Sequence, residues 1–171
     1  MEQNEVLKAL QRDHAAELKL AAERLKGTAR HTEIIPSKVL SDMTGHEILL
    51  KPENLQVTGS FKIRGAYNKI ASLSDEQLAR GIVTASAGQP CAGRGLCGSR
   101  TWCEATICMP QITPPLKVDA TKAYGADVVL YGEVFDESAA RAQELSDTEG
   151  MIYVPPFDDY EVLCGQGTIG L

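Results

Sequence analysis

The sequence contains no run of about 20 apolar residues, so no bilayer-spanning helix is written into it. It also lacks an excess of positive charge. Lysine and arginine number 17 against 23 aspartates and glutamates, a net charge of −6 that argues against a nucleic-acid or anionic-membrane partner. The five cysteines are an odd number, which excludes a full disulfide framework and points to a reducing, cytoplasmic setting. Met1 is followed by a charged, helical stretch rather than the apolar core of a signal peptide. There is no internal repeat and no low-complexity linker. What is present is ordinary globular composition, 43% apolar and 23% charged, over 171 residues, enough for one domain or two small ones.

Residues 13–26 (DHAAELKLAAERLK) predict an amphipathic helix capped by Asp13 and ended by Gly27. Residues 46–54 (HEILLKPEN) read as a strand that breaks at Pro52, and Thr58-Gly59-Ser60 opens a helix running to about Ala71. Four short runs rich in β-branched residues, 81–88, 104–110, 126–132 and 151–156, each stop at Gly or Pro, as buried parallel strands do. Helical stretches at 115–125 and 134–150 separate the last three. Alternation of strand and helix predicts an α/β sheet with right-handed crossovers.

The run KPENLQVTGSFKIRGAYNKI (51–70) carries the most chemistry. Lys62 falls in the first turn of a helix just after a glycine turn, where backbone N–H groups favour anions over a protonated amine. A neutral lysine amine attacks aldehydes to form Schiff bases. By position alone, Lys62 reads first as a surface lysine on an exposed helix face.

Lys51-x-Glu53-x-x-Gln56-x-Thr58-Gly59-Ser60-Phe61-Lys62-x-Arg64-Gly65-Ala66 resembles the pyridoxal-phosphate lysine motif of the threonine dehydratase (threonine ammonia-lyase) family. These are fold type II, or β-family, enzymes. The resemblance continues through TASAG (84–88) and MPQITPPLKVDATKAYGADVVLYGEVFDES (109–138), then resumes in YVPPFDDYEVLCGQGTIGL (153–171). It implies pyridoxal 5′-phosphate as cofactor, Lys62 as its internal aldimine lysine and Phe61 packed against its pyridine ring. The implied reaction deaminates L-threonine to 2-oxobutanoate and ammonia, with L-serine to pyruvate as a second substrate. Ser86, Ala87 and Gly88 match the turn that receives the substrate carboxylate. Serine racemases and their kin resemble Ser-Ser-Gly there, and Ala87 lacks the second hydroxyl, which favours the threonine deaminase branch. Glu53, Asp158 and Asp159 read as structural or capping carboxylates, and His14, His31 and His46 as surface or satisfied histidines.

Residues 89–103 depart from the family. GRGLCG (93–98) matches GxGxxG, but Gln89 and Pro90 separate it from the preceding strand and a strand follows it, so it is no dinucleotide loop. Cys91, Cys97 and Cys103 are spaced too evenly and widely for a structural zinc site, and no metal is expected. The family shows Ser-Ala-Gly-Asn-His-Ala-Gln-Gly followed by a small-residue helix. Here Gln89 stands at the asparagine position that hydrogen-bonds the cofactor ring oxygen. A nucleotide sequence can be written that encodes GNHAQGVAYAARALG; with one G inserted after its second base it encodes GQPCAGRGLCGSRTW, residues 88–102 as they stand. A compensating one-base loss near Cys103 would restore the frame from Glu104 onward, so a double frameshift, in the gene or in its sequencing, is the expectation for this stretch. Gly93, Gly95 and Gly98 would each cost ~1 kcal/mol relative to alanine in the helix that should follow.

The expected architecture is an α/β partial type II fold. It comprises an N-terminal part of the large domain (1–80), a small parallel-sheet domain (81–156) and a segment returning to the large domain (157–171). The family's phosphate-cradling glycine loop is expected beyond residue 171, and without partner strands the N-terminal piece is expected to expose apolar surface. The alternatives are a serine dehydratase or racemase relative and a non-catalytic remnant. A small amino-acid substrate, a family-type homo-oligomer, and neither nucleic acid nor membrane complete the expectation.

Overall fold

A computed structural model of the chain describes residues 12–86 and 103–171. Helix α1 (His14–Leu25) starts where Asp13 Oδ1 accepts the Ala16 amide at 3.1 Å, and it buries Ala21 and Leu25. Two two-residue strands, β1 (Ile35–Pro36) and β2 (Leu49–Leu50), then pair antiparallel around α2 (Lys38–Thr44). The strand expected over 46–54 is this short because Pro52 has no amide to donate and Glu53–Leu55 coil into a 3₁₀ turn. Helix α2 buries none of its residues, and Val39 and Met43 stand 69% and 76% exposed, so this piece does present apolar surface.

Helix α3 (Lys62–Ala71) begins later than Thr58–Ser60 suggested, because Gly59 adopts φ 72°, outside the helical region. A short helix that the periodicity did not announce, α4 (Asp75–Ala79), follows at once. It is set by a capping box: Ser74 Oγ accepts the Gln77 amide and Gln77 Oε1 accepts the Ser74 amide.

The main sheet contains β3 (Ile82–Ala85), β4 (Ala105–Met109), β5 (Asp127–Leu130) and β6 (Ile152–Tyr153), all parallel, in the order β5-β4-β3-β6. Helix α5 (Pro115–Ala123) joins β4 to β5, and α6 (Phe135–Glu149) joins β5 to β6. Pro115 fits the first turn of α5, where its missing amide costs nothing. The period of two along β3 and β4 divides the core. Ile82, Ala105, Ile107 and Met109 face Val118 of α5 and Ile63 and Ile70 of α3. Val83, Ala85 and Cys108 face Ala142 and Leu145 of α6. The three layers leave β5 only partly covered, so it is an edge strand rather than the buried strand its β-branched residues predicted. After β6, α7 (Tyr160–Gly167) returns to pack on α3 and α1, and a 3₁₀ turn spans Thr168–Gly170.

Candidate active site

In a parallel sheet, ligands collect outside the carboxyl ends of the strands where the winding direction reverses. From β3 the chain steps to β4 and β5 on one side, while β6 lands on the other side of β3. The reversal therefore lies between β3 and β6. A cleft opens there, with Ser86 just past β3 and Pro155 and Pro156 just past β6 in its wall. Ser86 is buried, its amide donates to Cys108 O at 2.9 Å, and the Val154 amide donates to Val83 O at 2.9 Å, so both strand ends are held to the sheet.

Lys62, the first residue of α3, lines the same cleft with Ala66 and Ile70 one and two turns further on. Among the described residues that line it, Lys62 alone is charged; the sheet contributes Thr84 and Ser86 hydroxyls amid aliphatic side chains. Thr84 was not singled out in the sequence, although it shares the Ile82 and Ser86 face by the period of two. Phe61 is 44% exposed and is not part of the cleft wall. Ala87, Gly88, Gln89, Cys91, Cys97 and the stretch 88–102 read as frameshifted lie outside the described residues.

The other motif residues build the frame that carries Lys62. Arg64 meets Glu53 through two bonds, Nε to Oε2 at 2.8 Å and Nη2 to Oε1 at 2.9 Å, with both side chains about nine-tenths buried. Thr32 Oγ1 donates to Glu53 Oε1 at 2.7 Å, and Gln56 Nε2 donates to the same oxygen at 3.3 Å. Gln56 also grips the Arg30 backbone, accepting its amide at 2.9 Å and donating to its carbonyl at 2.5 Å. Lys51 Nζ donates to Thr32 O at 2.7 Å. The far side of the guanidinium reaches Thr168 Oγ1 at 3.2 Å. Burial alone would push the Glu53 carboxyl up, but bonds from Arg64, Thr32 and Gln56 and the Arg64 charge hold it down at about 2. Glu53 is thus a structural carboxylate held by Arg64, Gln56 and Thr32, with Lys51 tying down the Thr32 backbone, partnerships that the motif spacing alone did not reveal.

Behind α3, the crossing with α7 is tight. A Cβ on Gly165 would lie 2.7 Å from Gly65 Cα and 2.8 Å from the Arg64 carbonyl carbon, so the two glycines let the helices touch backbone to backbone. Asn68, fully buried, donates to Glu161 O at 2.7 Å and accepts from Arg24 at 3.1 Å. Asp159 caps α7 by accepting the Val162 amide at 3.0 Å and pairs with Lys69 at 2.6 Å. His14 shares a 2.9 Å hydrogen bond with the Tyr160 hydroxyl, while His31 and His46 are exposed.

Comparison with known proteins gives the family and the fold. Residues 25–171 match the family model described as pyridoxal-phosphate dependent enzyme. An L-threonine ammonia-lyase from Thermotoga maritima is 48% identical over 155 residues, covering 91% of this chain and 39% of that protein. The solved structure of processed threonine deaminase isoform 2 from Solanum lycopersicum superposes with a TM-score of 0.80 at 41% identity, covering 99% of this chain and 45% of that one. A serine racemase from Dictyostelium discoideum superposes with a TM-score of 0.77 at 31% identity, covering 90% of this chain and 50% of that one. The chain thus spans half or less of the length of each of these relatives.

Proposed function

The chain belongs to the pyridoxal-phosphate-dependent enzyme family, and from that premise we propose that it carries the lysine-bearing half of a threonine ammonia-lyase. The observation that supports this most directly is Lys62 as the one charged residue among the described residues lining the cleft at the switch point of the sheet. The residues present fit the reactive face of the cofactor. Lys62 offers the amine that bonds its aldehyde, Ala66, Ile107 and Val154 offer an apolar wall for a flat ring, and Thr84 and Ser86 offer hydroxyls. When bound, pyridoxal 5′-phosphate supplies an electron sink for the charge that develops at the substrate α-carbon.

Lys62 would take the α-proton of L-threonine on Nζ and pass it to the β-oxygen, so that the hydroxyl leaves as water. Hydrolysis of the remaining enamine gives 2-oxobutanoate and ammonia, and L-serine would give pyruvate by the same steps. By their places in the motif, Ser86, Ala87 and Gly88 would receive the substrate carboxylate and Gln89 would take the asparagine position toward the cofactor; Phe61, next to Lys62 in the chain but outside the described cleft wall, would reach the ring only by turning inward. The frame divides near residues 80 and 156, with the cleft on the sheet side of α3. The acidic charge and odd cysteine count support a cytoplasmic setting without nucleic acid, and no helix among the described residues is long and apolar enough to cross a membrane. Both isoleucine biosynthesis and threonine catabolism accommodate this chemistry.

Likeness to the Dictyostelium serine racemase favours a second reading, a racemase or serine dehydratase relative. Ala87 weighs against it, because an alanine cannot deliver a proton from the opposite face of the substrate.

The test adds pyridoxal 5′-phosphate to the purified chain and follows absorbance at ~410–420 nm, where a lysine-bound cofactor absorbs. The expected result is a band that Lys62→Ala abolishes, with 2-oxobutanoate formed from L-threonine. A chain that shows neither band nor product overturns the proposal and leaves the non-catalytic remnant. Formation of D-serine from L-serine in place of pyruvate would establish the racemase reading instead.

A further inference from the structure

Lys62 rides on a loop whose two ends are tied together outside the cleft. Glu53 stands before the loop, in the 3₁₀ turn, and Arg64 stands after it, in the first turn of α3, eleven residues on. Between them Gln56, Thr58 and Ile63 are buried and the Arg64 amide bonds Phe61 O at 3.0 Å, while the rest of the span is more loosely held. The Gly59 amide bonds Gln56 O at 2.9 Å, Thr58 Oγ1 reaches Ser60 O only at 3.5 Å, and Val57 and Phe61 are 51% and 44% exposed.

The geometry points to the Glu53–Arg64 pair as a positioning device for Lys62: it closes residues 53–64 into a ring, so that the lysine amine is presented at one place in the cleft. This inference rests on the reading that Lys62 bonds the cofactor. A guanidinium forked onto a carboxylate fixes both distance and plane, which a single-point ion pair does not. The ring is moored on its outer side as well. Gln56 grips Arg30, Thr32 bonds Glu53, and Arg64 reaches Thr168, so neither end of the loop can swing as a unit. On its inner side the Gly65–Gly165 contact pins α3 one turn beyond Lys62. A reacting group misplaced by about 1 Å loses on the order of a hundredfold in rate. Fixing the Cα of a side chain with four rotatable bonds is therefore worth a buried ion pair.

The chain is treated with pyridoxal 5′-phosphate and sodium borohydride, and the modified lysines are located by peptide mass. The amine condenses with the aldehyde and releases water; borohydride delivers hydride to the carbon of the C=N bond and solvent protonates the nitrogen, leaving a secondary amine. Lys38, 87% exposed, serves as the internal control. In the unmutated chain Lys62 is expected to be trapped well ahead of Lys38. In Glu53→Gln and Arg64→Gln the Lys62 rate should fall at least about tenfold, with Lys38 unchanged. The double variant Glu53→Gln/Arg64→Gln leaves no unpaired buried charge, and should recover the far-UV circular dichroism of the fold without recovering the Lys62 rate. That split is one that a purely stabilising pair would not produce. A folded variant that still traps Lys62 at the unmutated rate overturns the positioning role. If Lys62 in the unmutated chain is trapped no faster than Lys38, the cofactor reading fails and the inference falls with it.

Discussion

Replacing Glu53 by glutamine keeps the side chain's shape and removes the charge that Arg64, Thr32 and Gln56 converge upon. The folded chain holds this carboxyl at about 2, against an ordinary value of 4.5. At ~1.4 kcal/mol per pH unit, that displacement corresponds to about 3 kcal/mol of stability at neutral pH. Removing one partner of a buried pair typically costs ~3–5 kcal/mol, so two independent routes agree on the size. The sign follows from the direction of the displacement. Because the folded value lies below the unfolded one, the contribution is complete above pH 4.5, declines as pH falls toward 2, and is gone below. Urea unfolding followed by circular dichroism should therefore place Glu53→Gln about 3 kcal/mol below the unmutated chain at pH 7, and only about 1.4 kcal/mol below it at pH 3. A gap under ~1 kcal/mol at pH 7, or one that stays constant between pH 7 and pH 3, would refute the reasoning, since neither fits a buried charged pair.

Gly165→Ala would press a methyl group against the backbone of Gly65 and Arg64, atoms that no side-chain rotation can clear. A loss of about 2–3 kcal/mol is expected in the same urea assay, and a loss below ~0.5 kcal/mol would mean that α7 does not cross α3 this closely. Replacing residues 88–102 by GNHAQGVAYAARALG substitutes alanine for Gly95 and Gly98; a gain of about 2 kcal/mol is expected from helix propensity alone. An unchanged or lower unfolding midpoint would count against the frameshift, and so would a nucleotide sequence that reads through codons 88–104 without the expected shifts in related strains.

Much of the architecture was legible because its signals are local. A strand stops where Pro155 and Pro156 withhold their amides, a helix starts where Asp13 or Asp159 can catch a free N–H, and the lysine loop announces itself by residue type and spacing. The elements that escaped notice are those with weak or no periodicity: α2, which buries nothing, and α4, a single capped turn. Boundaries moved inward for a related reason. Gly59 could turn the chain before Lys62 or begin its helix, and only the positive φ it adopts in the folded chain settles which.

By itself the sequence determined the period of two along β3 and β4, the alternation of strand and helix, and the chemical type of Lys62, since each depends on neighbouring residues alone. Tertiary structure decided the rest. It put β6 beside β3 rather than β5, which opens the cleft where Lys62 and Ser86 meet. It also paired Glu53 with Arg64 and laid Gly165 on Gly65, a contact one hundred residues apart in the chain. Those choices turn on which surfaces bury one another and which charges lose their water together. Both are properties of the packed chain, and no local window of residues contains them.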